Sequence, residues 1–189
     1  MSHSIVLFDA CILYPASLRD LLMYLAGTGL FQAKWTDRIH DEWITNLLKH
    51  QPEINPERLI RTRRKMNEAV LDSLITGHEP LIDTLQLPDA NDRHVLAAAI
   101  HAGASHIVTC NLRDFPSDVL TSFGIQAVSP DDFLARLIDE NVEVVLAVVK
   151  RQRTQLKNPP KTVDEYLLTL EKQGLSKTVA FLQKHRNDI

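Results

Sequence analysis

Carboxylates at four separated places along this chain could serve one reaction. Asp9 ends the apolar run 5–8, and Glu42 lies within the helix-like stretch 41–48. Asp89 and Asp92 open the segment 87–99, and Asp114 follows the run 107–113. Like charges repel, so bringing these groups together makes sense only around a cation. Hard oxygen ligands select Mg²⁺ or Mn²⁺. The chemistry served by such a cluster is metal-assisted hydrolysis of a phosphodiester.

The elements that must position these acids alternate between strand and helix. Residues 4–9 read as a buried strand, and 16–26 carry helical spacing in Leu18, Leu21, Leu22 and Leu25. Thr36 suits the cap of a helix over 37–50, and Asn55-Pro56 starts another through about 74. A short strand is expected around 80–82, a helix over 89–102, strands over 105–110 and 125–128, and a helix over 131–139 capped by Ser129-Pro130. Alternation of this kind predicts an α/β fold, three-layer α/β/α, with a central parallel sheet. Asp9 and the 109–114 loop then follow carboxyl ends of strands, where open α/β sheets place their ligand sites. Beyond 140 no strand signal remains. Helical stretches at 142–156, 163–173 and 176–186 predict an all-helical extension, so the expected division is 1–139 and 140–189.

The 189 residues, 44% hydrophobic and 24% charged, suit one soluble domain with an extension and a full core. Cys11 and Cys110 match no metal spacing and are too few for a disulfide framework. Free thiols in a reducing cytoplasm are expected. The first strand starts within a few residues of the amino terminus, leaving no room for a signal peptide. No apolar run approaches the roughly 20 residues that cross a bilayer. A net charge of −3 argues against a coat of cations for nonspecific nucleic-acid binding, but not against a local basic face.

The order Asp9, Glu42, Asp92, Asn111/Asp114 on these elements resembles the PIN-domain ribonucleases of the VapC toxin type, over roughly residues 4–136. Its most specific pieces are Val6-Leu7-Phe8-Asp9-Ala10-Cys11, Asp89-x-x-Asp92 leading into Leu96-Ala97-Ala98-Ala99, and 108–115. The stretch 156–166 resembles the carboxyl-terminal helical domain of one branch of these toxins. The resemblance implies Asp9, Glu42, Asp92 and Asp114 as catalytic acids. It implies a metal set of Asp9, Glu42, Asp89, Asp92, Asn111 and Asp114 around one or two ions. Asn111 stands where many relatives carry Asp, which leaves the number of tightly held metals open. Also implied are an RNA substrate such as tRNA or another structured RNA of translation, a cognate antitoxin protein, and room for a homodimer.

Each feature has a plainer reading. Asp37 and Asp41 rival Glu42, and Asp89 suits an N-cap as well as a ligand. Thr109 can orient a ligand or simply fill a buried strand. Arg58, Arg61 and Lys65 share a helix face that either meets RNA phosphate or is solvated, and Arg113 is a further candidate contact. Lys150, Arg151, Arg153 and Lys157 divide between RNA and a partner protein. His94 reads as helix surface. The extension reads either as a cap on the core or as a surface that binds antitoxin or guides RNA. A haloacid-dehalogenase-like phosphotransferase would need an acid where Cys11 stands. A receiver domain would need an acidic pair before the strand. A non-catalytic scaffold on the same fold would need its acids neutralised by Lys or Arg.

Overall fold

Strand β1 (Ile5–Phe8) is almost wholly buried, as its unbroken apolar sequence requires of a strand covered on both faces. In the computed structural model, which describes residues 4–189, it lies inside a four-stranded, all-parallel sheet. The partners are β2 (Gln32–Lys34), β3 (His106–Val108) and β4 (Gln126–Val128), in the order β2-β1-β3-β4. Val6 pairs with Ala33 on one side and with His106 on the other. The expected strands at 105–110 and 125–128 are present in shortened form. Strand β2 was not expected, because Gln32 and Lys34 flank the single buried Ala33 and leave no apolar signal.

The strand expected around 80–82 is instead the helical turn α5 (Glu79–Ile82), with Pro80 in the first turn, where its missing N–H costs nothing. The other helices up to the sheet's end are α1 (Ala10–Leu13), α2 (Ala16–Ala26), α3 (Asp37–His50) and α4 (Pro56–Ala69). They continue with α6 (Arg93–Ala102) and α7 (Ser117–Leu120). Thr36 caps α3 by accepting the Ile39 N–H at 3.1 Å, and Asn55 caps α4 by accepting that of Glu57 at 2.9 Å. Helix α4 ends at Ala69 rather than near 74. Ser73 and Ile75 then hydrogen-bond Trp35, which lengthens the β2 edge.

Right-handed crossovers send the helices between β1 and β2 to one face and those between β2 and β3 to the other. Alternation along β1 accordingly turns Phe8 towards Phe31, Trp35 and Phe133, with ring centroids 5.9, 6.4 and 6.3 Å away. On the opposite face α6 packs against β1 and β3. The result is the three-layer arrangement read from the sequence.

The helix after β4 breaks close to the expected place, between the stretches 131–139 and 142–156, although the two parts follow one another directly. Helix α8 runs from Pro130 to Gln155, with non-helical backbone at Asn141 (φ −147°, ψ 50°). It is followed by α9 (Val163–Glu171) and α10 (Ser176–Lys184). These helices share one hydrophobic core with the sheet. Buried Gln152 joins three elements, accepting the Tyr166 hydroxyl at 2.6 Å and donating to the Ser17 carbonyl at 2.8 Å. Among the described residues, no helix is long and apolar enough to cross a membrane.

Candidate active site

In a parallel sheet each crossover helix begins at the carboxyl edge of the strands, so loops and helix starts collect there. Asp9 is the first residue after β1 and Thr109 the first after β3. The two strands are neighbours at the point where the chain turns from one side of the sheet to the other, which opens a crevice between them. The backbone ladder reaches one residue further on both, Asp9 donating to Val108 at 3.1 Å and Thr109 to Val128 at 3.0 Å.

Asp9 is fixed from three directions and only 8% exposed. Its Oδ1 accepts the Ala10 N–H at 2.6 Å, capping α1. Its Oδ2 accepts the Thr109 hydroxyl at 2.7 Å and the Cys11 thiol at 3.2 Å. Thr109 is therefore more than strand filling, because its buried hydroxyl aims the carboxylate. Cys11 and Cys110 are free thiols that meet at this edge, the Cys110 N–H donating to the Cys11 Sγ at 3.1 Å. Hydrogen bonding with Cys110, burial and the Asp9 charge push the Cys11 thiol far up.

Asp89, Asp92 and Asp114 bring one carboxylate oxygen each to within 4.8 Å of one another. Asp89 is also the N-cap of the turn Ala90–Asp92, accepting the Asn91 N–H at 2.8 Å. The N-cap reading of that residue is therefore met, and the cap leaves its carboxylate beside those of Asp92 and Asp114. Asp114 sits in the turn Leu112–Asp114 and accepts a hydrogen bond from the Asn111 side chain. Asp92 has no hydrogen-bond donor among the described residues. Its pKa is pushed up to about 7 by partial burial and then by Asp9, Asp89, Asp114 and Glu42. Acids drawn from four parts of the sequence thus act on one carboxyl.

Glu42 is the member of its helix that faces this group. Its Oε1 lies 2.9 Å from the His94 Nε2 and 3.2 Å from the Arg38 Nε. Asp37 and Asp41 instead hold Arg63, at 2.5 and 2.8 Å. His94 was expected on the surface but is 1% exposed. The sign in the sequence was the run 95–99, apolar on every side, which makes the first two turns of α6 buried all round. Arg38 was also missed, although it stands four residues before Glu42, the spacing of a helical ion pair.

The donor set is carboxylate oxygen throughout, with Asn111 beside it, which suits a hard divalent cation. Of the five acids only Glu42 has a Lys or Arg partner within 4 Å among the described residues. The candidate cations lie elsewhere. Arg58, Arg61 and Lys65 line a separate cavity, and Arg113 is exposed beside Asp114. Arg153 is half-buried, its guanidinium donating to the Lys161 and Ile189 carbonyls at 3.2 and 3.3 Å, so it ties residue 189 to α8. The Arg151 guanidinium lies 5.2 Å over the Tyr24 ring.

Comparison with known proteins gives the family. Residues 5–113, more than half the chain, match the family model described as PIN domain, and residues 130–184 match one described as VapC50 C-terminal domain. A segment of 82 residues is 43% identical to "Putative ribonuclease VapC50" of Mycobacterium tuberculosis (strain ATCC 25618 / H37Rv), covering 43% of this chain and 48% of that protein. The match thus spans about half the length of that relative. No solved structure matches the chain.

Proposed function

Because the chain belongs to the PIN-domain family, we propose that it is a metal-dependent endoribonuclease acting as the toxin of a type II toxin–antitoxin pair. The observation that carries this reading is the convergence of Asp9, Glu42, Asp89 and Asp114 on an Asp92 already pushed up to about 7. A scaffold would gain stability by losing such repulsion, whereas a site that takes up a cation depends on it. The relative named as a ribonuclease supports the same reading.

Asp9, Asp89, Asp92 and Asp114, with Glu42 and Asn111 beside them, would hold one or two Mg²⁺ or Mn²⁺ ions. Such an ion supplies positive charge to the phosphodiester and makes water a stronger acid. The protein's own groups do the positioning. Thr109 holds the Asp9 carboxylate in one orientation, Asn111 does the same for Asp114, and His94 with Arg38 fixes Glu42. No side chain is needed as nucleophile. The target class is tRNA or another structured RNA of translation in the cytoplasm, and the activity is restrained by a cognate antitoxin. Homodimerisation is compatible with this reading. The nuclease unit is 1–139 and the helical extension 140–189, with the backbone break at Asn141 next to their border.

Asp92→Asn is the sharpest test, because among the described residues Asp92 accepts no hydrogen bond that the change would break. Asp9→Asn is less clean, since three donors point at that carboxylate. Labelled RNA should be cut in Mn²⁺ but not in EDTA, and Asp92→Asn should lower the rate by about 100-fold or more. Equal rates for the two proteins would remove the assignment. Expressing the chain in a bacterium and sequencing new RNA ends identifies the target. Normal growth with unchanged RNA from a well-expressed protein would remove the toxin role.

A further inference from the structure

The cations of α4 fall into two classes. Arg63 is held by Asp37 and Asp41, and Arg64 by Glu68 at 3.6 Å. Arg58, Arg61 and Lys65 have no carboxylate within 4 Å among the described residues, and all three line one cavity of about 440 Å³ between the start of α2, the end of α3 and α4. Their spacing of three and four residues puts them on one helix face. A face evolved only for solubility would mix its signs, as the opposite face of α4 does.

The floor of the same cavity carries a fourth cation. Arg19 is 6% exposed, its guanidinium 4.7 Å over the Trp43 ring and its Nη1 donating to the Leu13 carbonyl at 2.7 Å. Its Nε is buried with no hydrogen-bond partner among the described residues. Burial holds the Arg19 pKa below the usual guanidinium value, and the charge of Asp20 offsets only part of that. A buried charge without a full counter-charge destabilises the fold unless something else supplies the anion. None of the residues lining the cavity is an acid.

Tyr14 and the apolar Leu47, Ile54 and Leu59 are among the other lining residues. A π-face, an apolar wall and clustered guanidinium groups together match a base with its phosphate better than they match a bare carboxylate. The volume also lies in the range of small-ligand sites. Helix α3 sets the distance from the acids, because Leu47 stands five residues after Glu42 on it. At 1.5 Å per residue this is roughly 8 Å along the helix, a span that a nucleic-acid strand rising about 3.4 Å per nucleotide covers in two or three nucleotides.

We propose that this cavity is a nucleotide subsite for the RNA strand flanking the scissile bond, with Arg19, Arg58, Arg61 and Lys65 meeting the phosphate and Tyr14 the base. It rests on the ribonuclease reading for the identity of the strand. The test is binding of a fluorescent oligoribonucleotide in EDTA, where no metal-dependent cleavage occurs, over a series of salt concentrations. The double variant Arg61→Ala/Lys65→Ala changes two exposed side chains. It should bind roughly 10-fold more weakly at low salt and lower the slope of log K against log salt by about 1 to 2. The control Arg64→Ala, whose charge is already paired, should stay within about twofold. Wild-type affinity in the double variant overturns the proposal, as does an equal loss in Arg64→Ala, which would mean diffuse charge. Loss of binding to polyglutamate with RNA binding intact would also overturn it and assign the cavity to an acidic protein partner. If the expected binding pattern holds while the wild-type protein cuts no RNA in Mn²⁺, the subsite stands and the ribonuclease reading fails.

Discussion

Two groups of aspartates in this molecule show opposite electrostatics. At the junction of α8 and α10, Asp131 is 7% exposed yet fully engaged, its Oδ1 accepting the Thr178 N–H and hydroxyl at 2.9 and 2.8 Å and its Oδ2 the Lys177 N–H at 2.8 Å. It thereby supplies the cap that α10 lacks from its own N-cap residue, Leu175. Next to it, hydrogen bonds from Lys177 and Ser129 hold Asp132 below the usual carboxylate range. At the carboxyl edge of the sheet, Asp92 has four acidic neighbours and no donor among the described residues, and its pKa is raised. The same side chain is a fastener where donors surround it and a source of strain where only acids do. Strain of the second kind persists when the rest of the fold holds it and when a ligand can relieve it.

The largest way to break this comparison is to supply that ligand. Mn²⁺ at 100 times its dissociation constant should stabilise the wild-type protein by about 2.7 kcal/mol at neutral pH. Asp131→Asn should keep that gain and Asp92→Asn should lose most of it, read as metal-dependent shifts in Tm. A Tm indifferent to Mn²⁺ would mean that the sheet-edge acids do not form a cation site. Next in size is Asp131→Ala, which strands a helix cap and its buried donors. It should cost about 2 kcal/mol in urea unfolding, and a loss under about 0.5 kcal/mol would show that α10 does not depend on this carboxylate.

Titration sharpens the contrast by sign. Asp92 is raised from 3.8 to about 7, so its contribution to stability is full below pH 3.8 and is lost as pH rises through 7 in metal-free protein. Asp132 is lowered from 3.8, so its contribution is present above that value and is lost as pH falls below it. His40, His78 and His106 are all held below the imidazole value of 6.5 by burial, and they oppose Asp92 as pH falls below that point. The clean measurement is therefore the difference between proteins. In EDTA, Asp92→Asn should gain Tm relative to wild type from pH 5 to about pH 7 and level off above that, and a constant difference from pH 5 to pH 7 would contradict the raised pKa. The smallest effect expected is that of Tyr166→Phe, which removes the hydroxyl from Gln152 and should cost about 1 kcal/mol by urea unfolding, with no change in Mn²⁺ binding.

The acids were legible because their chemistry and their places relative to apolar runs are both written locally. Asp9 after four apolar residues and Asp92 before a buried helix mark the edge of a parallel sheet whatever the rest of the chain does. Thr36, Asn55 and Ser129 as caps were legible for the same reason, since a cap is an interaction over two or three residues. Strand β2 was not, because its only buried side chain is Ala33 and it exists by pairing with β1. His94 and Arg38 acquired their roles by standing against Glu42, which no spacing around His94 states. Nothing local around Asp131, in the first turn of α8, marks it for a role elsewhere. It became a cap for α10 only because residues 45 to 47 positions later fold back onto it.

What the sequence by itself determined is which side chains could do chemistry and which end of the sheet would receive them, since hydrophobic periodicity and helix starts act over a few residues. Tertiary structure decided the rest: which acids are relieved and which are left to repel, which cations are paired and which line a cavity. Those outcomes depend on charges and donors far apart in the chain meeting at 3 to 5 Å, where Coulomb energies and hydrogen bonds are strong enough to reverse the direction of a pKa.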